Sequence, residues 1–199
     1  MKILGLTGPS GAGKGEAGRI FASLGARVLD CDALYHEMLR TDGALRAELA
    51  AAFPDCADGE GGVDRKRLSR LVFADAEQLS RLNAIAHRHI TRAIRETLAS
   101  YAREGAEVAV LDAPTLFEAH ADALCDCTAA VLAPVSLRVE RLRGRDGLPD
   151  EAILARIRSQ PDDAFFQTHC TYILRNDGDL ETLRGRAAAL YNTIKENAT

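Results

Sequence analysis

The most regular feature of the chain is a set of short apolar runs that lack the alternation of a half-exposed strand. These runs span residues 3–7, 26–30, 108–112, 128–134 and 171–174. Strands of a parallel sheet have this continuous apolar pattern when helices cover both faces. The pattern therefore predicts an α/β protein in which a five-stranded parallel sheet lies between two layers of helices.

Between these runs, apolar residues recur at helical spacing. The stripe from Leu79 to Tyr101 advances in steps of three and four, which predicts one long amphipathic helix or two collinear ones. Later helices are predicted at about 136–145, 150–160 and 180–195. Gly144 and Gly147 are predicted to interrupt the first two of these.

The helix-rich block separates two strands that should be neighbours in the sheet, so we interpret it as an insertion that forms one wall of a substrate cleft. We expect a single domain over residues 1–199. Its parts are a core at about 1–32, 106–135 and 168–199, a helical insertion at about 33–105 and a lid at about 136–165.

The first apolar run leads directly into Gly8-Pro-Ser-Gly-Ala-Gly-Lys14-Gly15, and a helical pattern follows. The order of strand, glycine loop, lysine and helix is the context of a phosphate-binding loop. Glycines allow a tight turn that points backbone N–H groups inward, and the start of the helix adds partial positive charge. The candidates for nucleotide binding are Gly8, Gly11, Ala12, Gly13, Lys14, Gly15 and Glu16.

The residues after Lys14 depart from the usual loop, in which Ser or Thr holds Mg²⁺. Gly15 and Glu16 stand here, so no hydroxyl at either position can bind the metal directly. Either water completes the metal shell, which suits Mg²⁺, or activity is reduced. The loop also resembles that of adenylate and cytidylate kinases, which have Gly directly after the lysine. Those families then have Thr at the position of Glu16.

Acidic residues follow two of the predicted strands. Asp30 and Asp32 come at the end of the second, and Asp112 ends the third. Asp32 lies where the N-cap of a helix is expected. Acids at the carboxyl ends of parallel strands are also where α/β proteins place their chemistry. At this point the capping and the catalytic interpretations of Asp32 are equally open.

An arginine-rich segment lies in the predicted lid. Its members are Arg138, Arg141, Arg143 and Arg145. They can form a solvated helix face with charge pairs to Glu140 and Asp146, or a lid that closes over phosphates. The phosphate-binding loop elsewhere in the chain favours the lid.

Composition narrows the class of protein. The chain of 199 residues is 47% hydrophobic, with a formal net charge of -4, which argues against bulk binding to nucleic acid. No apolar run is long enough for a transmembrane helix, and the N-terminus enters the first strand without a signal peptide pattern. The 5 cysteines form no C-x-x-C pair, so we expect reduced thiols in a cytoplasmic protein. We also expect a monomer or a weak homo-oligomer.

The order and spacing of several short motifs are more specific than any of them alone. They are the loop to Lys14, Val28-Leu29-Asp30-Cys31-Asp32, Asp64-Arg65 with Leu68 and Phe73, Leu82-Asn83-x-Ile85-x-His87, Asp112-Ala-Pro114-Thr-Leu116-Phe117-Glu118, the arginines from 138 to 145, Arg156-Ile157-x-x-Gln160 and Asn176-Asp177-Gly178. Together they resemble the dephospho-coenzyme A kinase family almost from end to end. Besides Gly15, the departures are Arg88 where the family usually has Pro, Thr115 for a leucine, and His169-Cys170 for Ala-Asp.

This resemblance implies a three-layer P-loop kinase fold and a reaction. ATP would give its γ-phosphoryl group to the ribose 3′-hydroxyl of dephospho-coenzyme A, the last step of coenzyme A biosynthesis, with Mg²⁺ present. The catalytic residues implied are Asp32 as the base, with Lys14, Arg141 and Arg145 on the phosphates.

The resemblance also implies binding roles. Arg65 and His87 are candidates for the acceptor pocket, although His87 can equally be a packing residue, and Asn176 is expected near the adenine. No direct metal ligand is expected; Asp112 is expected to reach a metal through water, or to accept from Lys14. Two other functions stay open at this point: a nucleoside-monophosphate kinase, and a nucleotide-binding module with weak catalysis.

Overall fold

The five apolar runs form one all-parallel sheet in the computed structural model, which describes residues 1–59 and 61–197. The strands are β1 Lys2–Thr7, β2 Arg27–Asp30, β3 Val108–Asp112, β4 Cys127–Leu132 and β5 Tyr172–Arg175. Their order across the sheet is β2-β3-β1-β4-β5. The predicted α/β fold with five parallel strands is therefore confirmed, with strand ends shifted by a few residues.

The helices of the described residues largely follow the apolar stripes. They are α1 Lys14–Ser23, α2 Cys31–Thr41, α3 Gly43–Ala52, α4 Arg65–Ala74, α5 Ala76–Arg103, α6 Val135–Asp146, α7 Asp150–Arg158, α8 Asp163–His169 and α9 Leu180–Glu196. The long stripe is one helix, α5, whose first N–H groups are capped by the Asp75 carboxylate.

Two details of the helix prediction were wrong. Gly144 does not interrupt α6, which continues to Asp146 and ends at Gly147, a residue with φ 64°. Only the second glycine has the left-handed backbone that ends a helix. The short helix α8 was not anticipated, because seven residues offer too few positions for a clear apolar period.

The chain divides into two compact units. The sheet unit comprises Met1–Asp30 and Leu98–Thr199, and the helical unit comprises Cys31–Thr97. These limits differ from the expected insertion at about 33–105, because the division falls inside α5 rather than at its end.

Each unit has its own apolar core. In the sheet unit, β1, β3 and β4 pack against α1 and α9 through fully buried residues such as Leu4, Phe21 and Ala187. In the helical unit, Leu45, Leu49 and other apolar side chains of α3, α4 and α5 pack together. The sheet unit thereby fixes the carboxyl ends of β1 and β3, from which the glycine loop and Asp112 extend.

Candidate active site

The glycine loop joins β1 to α1, and its backbone can be built only with glycine at key positions. Gly8 has φ 141°, and a Cβ there would lie 2.4 Å from the Val131 carbonyl oxygen. Gly13 has φ 100°, and a Cβ there would lie 2.1 Å from Asn176 Nδ2. Both residues therefore need the left-handed backbone and the missing side chain.

This loop presents unused N–H donors at the start of a helix. The Ala12 N–H bonds back to the Pro9 carbonyl at 3.1 Å and closes the turn. The N–H groups of Gly11, Gly13, Lys14 and Gly15 donate to no group among the described residues. A set of such donors at a helix N-terminus is a site for phosphate oxygens. The donor set therefore fits the phosphates of a nucleotide.

Lys14 and Asp112 form an ion pair beside the loop. The Lys14 ammonium donates to the Asp112 carboxylate, and both side chains are largely buried. Asp112 ends β3, where Leu6 of β1 and Asp30 of β2 are its register partners on the two sides. The sheet therefore fixes Asp112 in place, and Asp112 in turn orients the lysine.

The first part of the lid segment is anchored to the loop by Arg138, which is only 4% exposed. Its Nε donates to the Ser10 carbonyl oxygen at 2.9 Å. Burial lowers the pKa of this guanidinium, while Asp163 opposes the shift.

The far end of the lid segment reaches the same residue. Gln160, just beyond α7, accepts from the Ser10 N–H and donates to the Ser10 hydroxyl, both at 3.0 Å. Arg138 and Gln160 together therefore bind the N–H, carbonyl and hydroxyl of Ser10. We call this group of three residues the Ser10 junction.

Arg141 and Asn176 hold the next part of the loop. Arg141 Nη1 lies 3.4 Å from the Gly11 carbonyl oxygen and 3.3 Å from that of Ala12. Asn176, buried at the end of β5, donates from Nδ2 to the Ala12 carbonyl at 2.7 Å. Asn176 thus supports the loop backbone directly. The sequence analysis placed Asn176 near an adenine and did not predict this contact.

Each of the other two lid arginines forms an ion pair with an aspartate. Arg145 pairs with Asp146 at 2.6 Å, and Arg143 pairs with Asp150 at 2.6 Å. The hydrogen bond to Asp146 raises the pKa of Arg145. Of the two predicted catalytic arginines, the structure brings Arg141 to the loop and leaves Arg145 exposed at the end of α6.

The position after Lys14 has space for a side chain. A Cβ on Gly15 would meet no atom within 4 Å, and the residue has no positive φ. Glu16 turns along α1 to pair with Arg19. The fold therefore does not demand glycine at position 15, and Glu16 is already engaged with a cation.

In the helical unit, Asp32 does not cap a helix. The helix α2 begins at Cys31, so Asp32 lies inside its first turn. Its exposed carboxylate makes no hydrogen bond or ion pair with the part of the chain that the structure describes. The capping interpretation is therefore wrong, and the carboxylate is available to solvent.

Arg65, the first residue of α4, donates from Nη2 to His36 Nδ1 at 3.0 Å. Tyr35, next to His36, has a pKa raised by burial and opposed by the Arg65 charge. Arg65 is thus already oriented by its own unit.

The two histidines of α5 have different surroundings. His87 is half-buried, whereas His89 is buried and lies 2.8 Å from Glu48 Oε2 through its Nε2 atom. Asp42 lies on the other side of the ring, at 3.7 Å from Nδ1. His89 therefore joins α3 to α5, a structural role that its sequence position did not reveal.

No group of three or more His, Cys, Asp or Glu side chains among the described residues can hold a metal ion. None of their helices is long and apolar enough to cross a membrane.

A parallel sheet whose first strand leads through a glycine loop and a lysine into a helix is the architecture of P-loop proteins, a class that includes the P-loop kinases. Shikimate kinase from Acinetobacter baumannii shares this fold, with a TM-score of 0.55 and 17% sequence identity. The match covers 99% of the present chain and 94% of the shikimate kinase chain. Within this class, the chain belongs to the dephospho-CoA kinase family, whose sequence profile matches residues 2–182.

Relatives of known name agree with this assignment. Dephospho-CoA kinase from Thermobifida fusca is 36% identical over 98% of the chain and 97% of its own length. That from Paramagnetospirillum magneticum is 40% identical over 82% of the chain and 76% of its length. The crystal structure of TT1252 from Thermus thermophilus matches with a TM-score of 0.80 and 36% sequence identity. This match covers 96% of the present chain and 97% of the TT1252 chain. The predicted family is therefore confirmed, and the chain is an ATP-dependent kinase.

Proposed function

We propose that this kinase transfers the γ-phosphoryl group of ATP to the ribose 3′-hydroxyl of dephospho-coenzyme A. The observation that carries the proposal is the loop, in a chain that matches the family. Four of its N–H groups have no acceptor among the described residues, and the Lys14 and Arg141 side chains lie beside them. Phosphoryl transfer asks a protein mainly for positioning and for charge stabilisation. The loop N–H groups would position the phosphates, and Lys14 and Arg141 would stabilise their charge.

We assign the phosphates of ATP to the loop. The N–H groups of Gly11, Gly13, Lys14 and Gly15 would bind the β- and γ-phosphate oxygens, while Asp112 keeps the Lys14 ammonium directed at them. Gly8 and Ala12 shape the loop, and Asn176 supports it. Glu16 would contribute through its place in the first turn of α1, where its carboxylate pairs with Arg19.

The phosphoryl transfer involves one proton transfer, one bond formed and one bond broken. The 3′-hydroxyl loses its proton to the Asp32 carboxylate, the oxygen attacks the γ-phosphorus, and the bond from that phosphorus to the bridging oxygen breaks to release ADP. Arg141 stabilises the developing charge from the loop side. Arg145 would join it after leaving Asp146. Arginines in this role contribute about 10³-fold or more in rate.

Mg²⁺ would neutralise charge on the β- and γ-phosphates. Asp112 is the acid nearest the loop lysine, and a water-mediated contact from it fits the reluctance of Mg²⁺ to lose its waters. Arg65 and His87 are the proposed acceptor-binding residues of the helical unit. None of the five cysteines, all of which lie among the described residues, forms a disulfide, which supports a reducing, cytoplasmic setting.

An acceptor panel with ATP and Mg²⁺ tests the proposal. We expect phosphorylation of dephospho-coenzyme A in preference to CMP and AMP, and the opposite preference would contradict the assigned acceptor. Asp32→Asn should remove turnover while ATP affinity is kept. Glu37→Gln is the matched control, because Glu37 is an acid on the same helix that pairs with Arg40. An Asp32→Asn enzyme of normal rate would reject Asp32 as the base.

A further inference from the structure

One face of α4 carries a groove that none of the catalytic roles explains. It has a volume of about 680 Å³ and is lined by Arg65, Lys66, Ser69 and Arg70. These residues stand at positions i, i+1, i+4 and i+5, which share one side of a helix. Leu68, on another side of α4, is buried in the core of the helical unit. The groove is therefore a polar face with three cations.

The cations of this groove lack carboxylate partners. No acid among residues 1–59 and 61–197 has an oxygen within 4.0 Å of the charged groups of Arg65, Lys66 or Arg70. By contrast, Arg67 on the same helix pairs with Asp64 at 3.5 Å. Three unpaired cations in one groove are unusual in a chain of net charge -4, whose exposed arginines mostly have acidic partners.

The acid at the N-cap of α4 already has hydrogen-bond partners. Asp64 Oδ1 accepts from the backbone N–H groups of Lys66 and Arg67, which caps α4. The N–H of Arg67 is the largest cause that lowers the pKa of Asp64, and the charge of Arg70 contributes less. Asp64 therefore offsets part of the positive charge from a distance, while its ion pair, at 3.5 Å, is with Arg67 outside the groove.

Two of the groove cations are held in position. Arg65 donates to His36 Nδ1 at 3.0 Å, and Arg70 Nε donates to the Lys66 carbonyl at 3.3 Å. Each guanidinium keeps further N–H donors for a ligand. Side chains that are already ordered lose less conformational entropy on binding. The Ser69 hydroxyl adds a neutral donor between them.

We propose that this groove on α4 binds the diphosphate that joins adenosine to the pantetheine arm of the acceptor. The inference rests on the proposed function, because it takes dephospho-coenzyme A as the acceptor. Each phosphate of that diphosphate carries one negative charge and two free oxygens. Arg65 and Arg70 match these oxygens with forked N–H donors, and Lys66 adds a point charge. The groove thereby distinguishes a diphosphate-bearing acceptor from a plain nucleoside.

The test removes two charges while leaving Arg65 in place. Lys66→Gln/Arg70→Gln should raise the KM for dephospho-coenzyme A by about tenfold, because two exposed charge contacts are lost. The kcat and the KM for ATP should stay within about twofold. Arg67→Gln, which removes one charge from the same helix outside the groove, should leave all three constants unchanged. An unchanged acceptor KM in the double variant would overturn the inference.

A second measurement uses the unaltered enzyme. Its KM for dephospho-coenzyme A should rise with NaCl, because salt screens exposed charges. Its KM for adenosine, which lacks the diphosphate, should not rise. Equal salt dependence for both acceptors would contradict the groove. Failure of the proposed function is distinguishable, because the unaltered enzyme would then not phosphorylate dephospho-coenzyme A at all.

Discussion

The Ser10 junction allows a quantitative prediction about nucleotide binding. Gln160→Ala removes the two 3.0 Å hydrogen bonds to Ser10 and leaves the Ser10 N–H without its acceptor. A net hydrogen bond is worth about 1 kcal/mol, so the native loop conformation loses about 2 kcal/mol relative to alternatives. Such a loss lowers the fraction of competent loop by up to about thirtyfold. Arg138 and Asn176 still hold the loop, so we expect the Kd for ATP to rise between about fivefold and thirtyfold.

Two further variants at position 160 separate the effect of the hydrogen bonds to Ser10 from the effect of side-chain volume. Gln160→Glu keeps an oxygen that accepts from the Ser10 N–H and a second that accepts from the Ser10 hydroxyl, so ATP affinity should stay within about threefold of the unaltered enzyme. Gln160→Met keeps the volume without the polar atoms and should resemble Gln160→Ala. Ser159→Ala is the neighbouring control, because the Ser159 hydroxyl bonds only within its own helix end.

Calorimetric titration with a non-hydrolysable ATP analogue measures these affinities without any acceptor. Thermal unfolding of each variant shows whether the fold is retained. A folded Gln160→Ala enzyme with unaltered ATP affinity would refute the reasoning, and so would a Gln160→Glu enzyme as weak as Gln160→Ala.

Other predictions follow from the loop and from two buried or charged groups. Gly15→Ser should fold normally and lower the Mg²⁺ concentration for half-maximal rate, because a Cβ there meets no atom within 4 Å; an unchanged metal requirement would show that the hydroxyl misses the metal. The N–H of Leu45, more than the charges of His89 and Arg92, holds the pKa of Asp42 below its ordinary 3.8, so its ionised form stabilises the fold above that pH and the benefit is lost as pH falls further. Asp42→Asn keeps a capping acceptor and should reduce the free energy of unfolding by about 1 kcal/mol at pH 7 and by less below pH 3.8, as urea titrations would show; a constant difference would exclude the charge as the cause. Burial raises the pKa of the Cys125 thiol to about 12, so alkylation of Cys125 at pH 8 should be much slower in the folded enzyme than in urea, as peptide mass mapping would report.

Features with local causes were predictable from the sequence. The strands are continuous apolar runs because helices cover both faces, and the run from Val108 to Asp112 is indeed buried throughout. The loop was predictable because Gly8 and Gly13 need a backbone that few other residues adopt. The lid arginines were predicted as a cluster, although no local pattern separates Arg141, which contacts the loop, from Arg145, which pairs with Asp146.

Contacts between distant parts of the chain were not predictable. Ser10 and Gln160 are 150 residues apart, and nothing local marks a serine whose three polar groups are all bound. His89 was missed because its partner Glu48 lies on another helix. Asp32 looked like a cap because the sequence does not show whether the helix starts at residue 33 or, as observed, two residues earlier at Cys31. Such errors arise where tertiary pairing decides among locally equivalent choices.

The strand order also bears on how the enzyme is made on the ribosome. β1 lies between β3 and β4, and its first residue Lys2 pairs with Val108. At about 5–20 residues per second of synthesis, the segment that becomes the middle of the sheet waits about 5–20 s for its first neighbour. Throughout that interval its apolar residues and unpaired backbone are exposed to other nascent chains. This strand is therefore where we expect chaperones to act, and where slowed translation would most increase aggregation.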